Sequence, residues 1–280
     1  MSLLILNNQT IQMSNKSIFY ALVICIVLFF VFFFSRPNDS NESFSSVSSV
    51  ENTHSSFDYL PTSTTNTIIK HEFYTLSYNE KAEQAEWVAY ELKKSHLSRT
   101  KRKRPYFIYD AKVNTKSASY KNYKKSGYTK GHLCPAGDRK FSKKAFDETF
   151  LTSNISPQTM VFNGGIWQKL ESKVRYWATK NKKIYVVTGG VLKPNLKTIG
   201  REKVAVPEQF YKILLDYTRP EIKAIAFLMN HEKSNRPLYD FVVSIDKIEE
   251  LTGIDFFPAL PDDIENKLEK SSDYKNWSFR

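Results

Sequence analysis

The stretch from Gly127 to Glu171 constrains the fold of this 280-residue chain most, because its chemistry works only if distant side chains meet. His132 can accept a proton near neutral pH, since an imidazole has an unperturbed pKa of about 6.5. Asn163 offers a carbonyl oxygen and Glu171 a carboxylate, and Mg²⁺ accepts both ligand types while keeping several of its waters. Brought into one cleft, the three groups could hydrolyse a phosphodiester.

The local structure expected around Asn163 supports such a cleft. If the chain is helical from Gly165 onward, Trp167 and Glu171 are four residues apart and share a face. Asn163 would lie just before that helix on the same face. We therefore expect Asn163 and Glu171 at one end of a cleft, with Trp167 packed in the core.

Three short motifs lie in this part of the chain: Thr129-Lys130-Gly131-His132, Ser153-Asn154-Ile155-Ser156-Pro157-Gln158 and Asn163-Gly164-Gly165-Ile166-Trp167-Gln168-Lys169-Leu170-Glu171. Together they resemble the DNA/RNA non-specific endonucleases of the ββα-metal type, which include mitochondrial endonuclease G and secreted bacterial nucleases. His132 and Asn163 are 31 residues apart, Asn163 and Glu171 are 8 apart, and these spacings suit that family. The likeness extends from about Phe73 to Trp277.

The resemblance implies an α+β fold, in which a ββα-metal finger nuclease site stands on a central, mainly antiparallel sheet flanked by helices. It also implies residue roles. His132 would be the general base and Asn163 the direct ligand of Mg²⁺, with Mn²⁺ as a possible substitute. Glu171 would position the waters of the metal, and Asn154 would support the site.

Two positions depart from the family pattern. Lys130 stands where the family usually has Arg; it would add positive charge near the phosphate, but it lacks the fork that grips phosphate in two places. Thr129 stands where the family usually has Asp, so a carboxylate near the metal is missing. These changes predict reduced activity or an altered substrate preference. A catalytically decayed, membrane-anchored nucleic-acid-binding protein stays open as the alternative.

The charge of the chain favours DNA and RNA as partners. The net charge is +12, and because residues 1–69 hold 2 basic and 4 acidic residues, the remainder carries +14. Residues 93–130 contain 13 Lys and Arg and one acid, Asp110. Such a segment neutralises phosphates without reading bases. The same charges would also suit a solvated face or a membrane-tethered adaptor on anionic lipid. The candidate nucleic-acid contacts are Lys101, Arg102, Lys103 and Arg104.

An unbroken run of 17 apolar residues, from Ile18 to Phe34, sets the domain organisation. As a helix it would span roughly 25 Å, just enough for a bilayer. We predict a cytoplasmic stub over 1–17, a transmembrane signal anchor over 18–34, a disordered Ser/Asn/Thr-rich linker over 35–67 and an endonuclease domain over 68–280. The catalytic domain would lie outside the cytoplasm, periplasmic or extracellular, and would be secreted if the run is a cleaved signal peptide. A homodimer is possible.

Hydrophobic patterning predicts the main elements of the domain. Glu80–Leu92 is helical by composition, but the family pattern makes Trp87–Leu92 a strand, and we adopt the strand. Gly189-Gly190 is interpreted as a turn, and a helix over Ser244–Thr252 is expected to end at Gly253. The acidic residues Asp262, Asp263 and Glu265 should lie away from the nucleic acid. The remaining strands are predicted at Phe73–Tyr78, Lys183–Thr188, Phe210–Leu215 and Lys223–Leu228.

Overall fold

The computed structural model describes residues 57–279, so the predicted stub, the membrane anchor and most of the linker lie outside the described residues. Within 57–279, no helix is long and apolar enough to cross a membrane. The helices are α1 (Lys143–Glu148), α2 (Met160–Phe162), α3 (Gln168–Lys180), α4 (Ile245–Thr252) and α5 (Asp262–Glu269). The strands are β1 (Ile68–Lys70), β2 (Thr75–Asn79), β3 (Gln84–Lys93), β4 (Thr129–His132), β5 (Ile155–Gln158), β6 (Lys183–Gly190), β7 (Thr198–Ile199), β8 (Val204–Ala205), β9 (Gln209–Asp216), β10 (Lys223–Asn230) and β11 (Val242–Val243).

A seven-stranded sheet in the order β1-β2-β3-β6-β9-β10-β11 forms the centre of the domain. Every neighbouring pair in it is antiparallel. The α+β fold with a central antiparallel sheet is therefore confirmed. The strand prediction for Trp87–Leu92 is also confirmed, because β3 covers those residues. The composition suggested a helix there because β3 is buried on both faces and so lacks the polar alternation of a half-exposed strand.

Apolar layers cover both faces of this sheet. On one face, Trp167, Leu170 and Trp177 from α3 and the turn before it pack against side chains of β3, β6 and β9. On the other face, Ile245 and Ile248 of α4 pack against the alternate side chains of the same strands. Helix α4 ends where predicted, at Gly253, which has a φ of 69°. Helices thus pack on both faces of the main sheet, and β4 and β5 form a separate two-stranded sheet that carries site residues.

The predicted turn at Gly189-Gly190 is wrong, because β6 continues through both residues. A Cβ atom at Gly189 would lie 2.2 Å from the carbonyl oxygen of Glu86 and 2.6 Å from the hydroxyl of Tyr211. At Gly190, it would lie 2.4 Å from Cγ of Pro207. Both positions require glycine because neighbouring parts of the chain approach the strand closely. The prediction had instead interpreted the two glycines as the end of the strand.

Residues 57–67, which we predicted as the end of the linker, belong to the folded domain. Tyr59 stacks on Tyr185 with ring centroids 4.5 Å apart, and the Trp87 indole donates to the Thr62 carbonyl over 2.8 Å. The carboxylate of Glu86, 4% exposed, accepts hydrogen bonds from Ser63 and from the backbone of Thr64. The polar composition of this segment predicted disorder, because the sequence does not show that its hydroxyl groups bind one buried carboxylate.

Candidate active site

Two short strands followed by a helix position the predicted site residues. Strands β4 and β5 pair antiparallel, from Thr129 opposite Gln158 to His132 opposite Ile155. The chain then passes through α2 and a wide helical turn over Asn163–Trp167 into α3. The regular helix begins at Gln168 and not at Gly165, because Gly165 has φ −107° and ψ −114°, outside the helical region. This kink separates Asn163 from the helix while keeping it near Glu171.

One cleft of about 370 Å³ collects most of the predicted residues: His132, Lys130, Asn163 and Glu171 all line it. Four further polar side chains line the cleft: Arg104, Thr129, Gln168 and Arg175. The sequence analysis did not single out Gln168 or Arg175. A usable signal existed for Arg175, since it follows Glu171 by four residues and so lies on the same face of α3.

His132 lies at the inner wall of this cleft and is 9% exposed. Its ring packs near Phe107 and Phe150, at centroid distances of 5.5 and 5.1 Å. Nε2 is buried and has no hydrogen-bond partner within the described part of the chain. Burial, and then the nearby Arg104 guanidinium, lower the pKa of His132 to about 3. The imidazole is therefore neutral over the physiological pH range, the form that can accept a proton.

Thr129 orients the side chain of Asn163. The Asn163 amide Nδ2 donates to Thr129 Oγ1 over 3.0 Å, and that hydroxyl donates to the Gln158 carbonyl over 2.9 Å. With Nδ2 occupied, Oδ1 of Asn163 is the atom left for a ligand in the cleft. An amide oxygen and the Glu171 carboxylate form a donor set that fits a hard cation such as Mg²⁺. Thr129, which replaces the expected Asp, thus contacts the candidate metal ligand directly.

Buried charges lie behind Glu171. Burial raises the pKa of the Glu171 carboxyl, and the positive charge of Lys212 acts against that rise. Lys212 is itself 1% exposed, lies 4.8 Å from the ring of Trp167, and its Nζ forms no hydrogen bond among residues 57–279. Arg175 donates to the buried carboxylate of Asp138 over 3.0 Å. The cationic side chains of Lys212 and Arg175 therefore lie near the Glu171 and Asp138 carboxylates.

Asn154 does not line the cleft; it is fully buried below it. Its Oδ1 accepts from the backbone nitrogen of Cys134 over 2.8 Å. Its Nδ2 donates to the carbonyls of Cys134 and Thr149. The side chain thus clamps the backbone just after His132, which gives the predicted supporting residue a geometric basis. Cys134 is buried, and burial raises the pKa of its thiol to about 12.

Of the four predicted nucleic-acid contacts, only Arg104 lines the cleft. Lys101 and Lys103 are exposed, and Arg102 donates through Nε to the Lys140 carbonyl over 2.7 Å. The acidic residues Asp262, Asp263 and Glu265 of α5 do not line the cleft.

The chain is similar in sequence to known nucleases. The family model described as DNA/RNA non-specific endonuclease matches residues 54–263. The mitochondrial nuclease EXOG of Danio rerio is 36% identical over 208 residues, which cover 67% of this chain and 61% of that protein. Mitochondrial endonuclease G of Homo sapiens is 31% identical over 204 residues, covering 68% and 69% of the two chains.

The fold is also shared with a solved nuclease. A crystal structure of endonuclease G in complex with EndoGI superimposes with a TM-score of 0.65 at 27% identity, covering 69% of this chain and 86% of that one. The matched part spans less than two thirds of the length of the EXOG relatives, at 61% of the Danio rerio and 58% of the Homo sapiens protein.

Proposed function

Because the chain belongs to the DNA/RNA non-specific endonuclease family, we propose that its cleft hydrolyses phosphodiester bonds within DNA and RNA with little sequence preference. The observation that carries the proposal is the meeting of His132, Asn163 and Glu171 in one cleft. An imidazole, an amide oxygen and a carboxylate are the parts that metal-assisted phosphodiester hydrolysis needs.

His132 is the proposed general base. It takes a proton from the water that attacks phosphorus, and its neutral state at physiological pH makes this step available. A pKa of about 3 makes the ring a weak base in the free protein. A phosphodiester anion beside His132 and Arg104 would offset the repulsion from the guanidinium and raise that pKa. Substrate would thus strengthen the base that acts on it.

Asn163 would bind the divalent cation directly and Glu171 would position its waters, with Mg²⁺ proposed and Mn²⁺ as a substitute. When bound, such a cation acts as a Lewis acid that stabilises negative charge on the phosphate and the leaving oxygen. Thr129 holds the Nδ2 end of the Asn163 amide, which leaves Oδ1 as the atom available to a cation. Burial raises the pKa of the Glu171 carboxyl, and the nearby positive charge of Lys212 opposes that rise. A bound cation would further favour the ionised carboxylate.

The cationic side chains of the cleft, Lys130, Arg104 and Arg175, would hold the phosphate backbone. Asp110, the one acid of the basic stretch 93–130, cannot neutralise that surface, since it is buried and bound to His71 and Ser153. Backbone contacts of this kind carry no base information, in keeping with low sequence preference. We further propose that the apolar run 18–34 anchors the protein with this domain outside the cytoplasm.

A plasmid-relaxation assay with the full chain in detergent tests the function. Supercoiled DNA and a folded RNA are incubated with Mg²⁺, with Mn²⁺, and with EDTA, beside His132→Ala as the matched inactive variant. Cleavage of both substrates that EDTA and His132→Ala abolish is the expected result. Salt-dependent binding without cleavage would instead favour the decayed nucleic-acid-binding protein, which the replacements at Thr129 and Lys130 motivate. Binding to anionic liposomes but not to nucleic acid would favour the adaptor.

A further inference from the structure

A histidine outside the cleft holds the segment that carries Asn163. His231 directly follows β10, and its Nε2 lies 2.7 Å from the backbone nitrogen of Thr159. Thr159 in turn accepts, through its carbonyl, the backbone N–H of Asn163 over 2.9 Å. Two hydrogen bonds therefore connect the His231 ring of the main sheet to the backbone of the candidate metal ligand.

The partners of His231 define its protonation state. Nδ1 lies 2.9 Å from the carbonyl oxygen of Pro207, which can only accept, so Nδ1 carries the hydrogen. Nε2 faces a backbone N–H, so it must offer a lone pair. A doubly protonated ring would place a hydrogen against the Thr159 N–H and lose that bond. The observed geometry thus requires the neutral imidazole.

The ring is also wedged between aromatic side chains of the site and the sheet. Phe162, the residue before Asn163, meets it edge-on at 5.1 Å, and Phe210 of β9 does so at 5.2 Å. The apolar contacts restrict the ring, and the two hydrogen bonds set its direction. Thr129 fixes the Asn163 side chain, whereas His231 fixes the backbone that bears it.

We propose that His231 is a positioning residue for the proposed reaction: its unprotonated ring ties Thr159, and through Thr159 the backbone of Asn163, to the main sheet. The inference rests on the proposed function, because it gives Asn163 the role of cation ligand. Its consequence is that cation affinity and turnover depend on one imidazole that never touches cation or substrate.

Acid should release this contact. Burial lowers the pKa of His231, and the bond to Pro207 acts against that effect. The contact to Thr159 is intact above the lowered pKa and is lost as the pH falls through it. Tyr128 approaches the ring at 5.9 Å. The charged groups that line the same depression are Lys193, Lys197, Glu208 and Glu232.

Three variants of the full chain test the proposal: His231→Gln, His231→Leu and the control His96→Leu. A glutamine can accept and donate as the neutral imidazole does but does not titrate, whereas leucine fills space without accepting. His96 is a matched control, because burial also lowers its pKa, it also accepts a backbone N–H, from Lys93, and it does not line the cleft. Mn²⁺ binding is measured by electron paramagnetic resonance, with the pH profile of cleavage as a second readout.

We expect His231→Leu to weaken Mn²⁺ binding about two- to tenfold, the net worth of one hydrogen bond. His231→Gln should bind Mn²⁺ within about twofold of wild type, because the glutamine keeps the hydrogen bond to Thr159. The acid limb of the pH profile that belongs to His231 should disappear, because glutamine does not titrate. Wild-type Mn²⁺ affinity in a folded His231→Leu overturns the proposal. If that variant does not fold, an unshifted acid limb in His231→Gln overturns it.

The same experiment separates this proposal from the proposed function. A wild-type chain that binds Mn²⁺ but does not cleave refutes the function, and the Mn²⁺ comparison still decides the role of His231. A wild-type chain that neither cleaves nor binds Mn²⁺ refutes both.

Discussion

Removal of the Thr129 hydroxyl tests how the Asn163 side chain is held. In Thr129→Val the shape is kept, but two hydrogen bonds are lost: the one from Asn163 Nδ2 and the one to the Gln158 carbonyl. Each is worth about 0.5–1.5 kcal/mol net, so the pair is worth about 1–3 kcal/mol. Part of this loss appears as a lower free energy of unfolding. The other part appears as weaker cation binding, because Asn163 is no longer held in its orientation.

The expected result is a higher Mg²⁺ requirement with intact folding. Since about 1.4 kcal/mol corresponds to tenfold in an equilibrium constant, the Mg²⁺ concentration for half-maximal cleavage should rise by up to about tenfold. Urea unfolding measures the remaining loss of stability. Thr129→Ser is the matched control, because it keeps the hydroxyl, and it should stay close to wild type in both assays. A Thr129→Val chain with the unfolding free energy and Mg²⁺ dependence of wild type would refute the reasoning.

The variant Thr129→Asp extends the same test. A carboxylate accepts from the Asn163 amide more strongly than a hydroxyl does and adds negative charge beside the cation. It has no hydrogen to donate to the Gln158 carbonyl, so two acceptors would face each other. We therefore expect half-maximal cleavage at a lower Mg²⁺ concentration, together with a lower free energy of unfolding. A gain in both quantities would mean that the Gln158 contact contributes nothing.

The remaining predictions concern the base, its support and the basic segment. His132→Ala should lower turnover on the order of 10²–10⁴-fold with unchanged nucleic-acid binding, measured by single-turnover cleavage; a loss of only a few-fold would contradict its role as base. Asn154→Ala leaves three buried backbone groups without partners, so urea unfolding should show a loss of about 2–4 kcal/mol, whereas an unchanged midpoint would remove Asn154 as a support. Glutamine at positions 101–104 should flatten the salt dependence of DNA binding by about 0.9 in log–log slope for each lost phosphate contact, and an unchanged slope would mean that the segment faces solvent or lipid.

Much of the fold could be predicted because its signals are local. The runs at Phe210–Leu215 and Lys223–Leu228 lie within β9 and β10, and α4 has a serine before it and a glycine after it. The family resemblance carried by the motifs likewise predicted that His132, Asn163 and Glu171 lie in one cleft, which all three line. The strands and the helix could be predicted without knowledge of distant partners, whereas the cleft was predicted from the family resemblance.

The parts that could not be predicted depend on pairs far apart in sequence. The hydroxyl of Thr129 meets an amide 34 residues away, and His231 meets Thr159 72 residues away. Lys212 resembles any strand residue until its buried position near Trp167 is known. Hydrophobic periodicity carries no information about such pairs, because it describes only one element at a time. The family motifs do not include Lys212 or His231.

The contacts of Glu86 decide where the domain can be cut from the rest of the chain. Its carboxylate accepts from Ser63, from Ser77 and from the backbone and hydroxyl of Thr64. A recombinant fragment that starts at residue 68 would keep the buried charge and lose the donors of Ser63 and Thr64, with a penalty of about 1–3 kcal/mol for each stranded partner. It would also uncover the rings of Tyr185 and Tyr217, which Phe57 and Tyr59 cover. A fragment for crystallisation should therefore begin on the N-terminal side of Phe57. A protease site meant to release an intact domain should be inserted there as well.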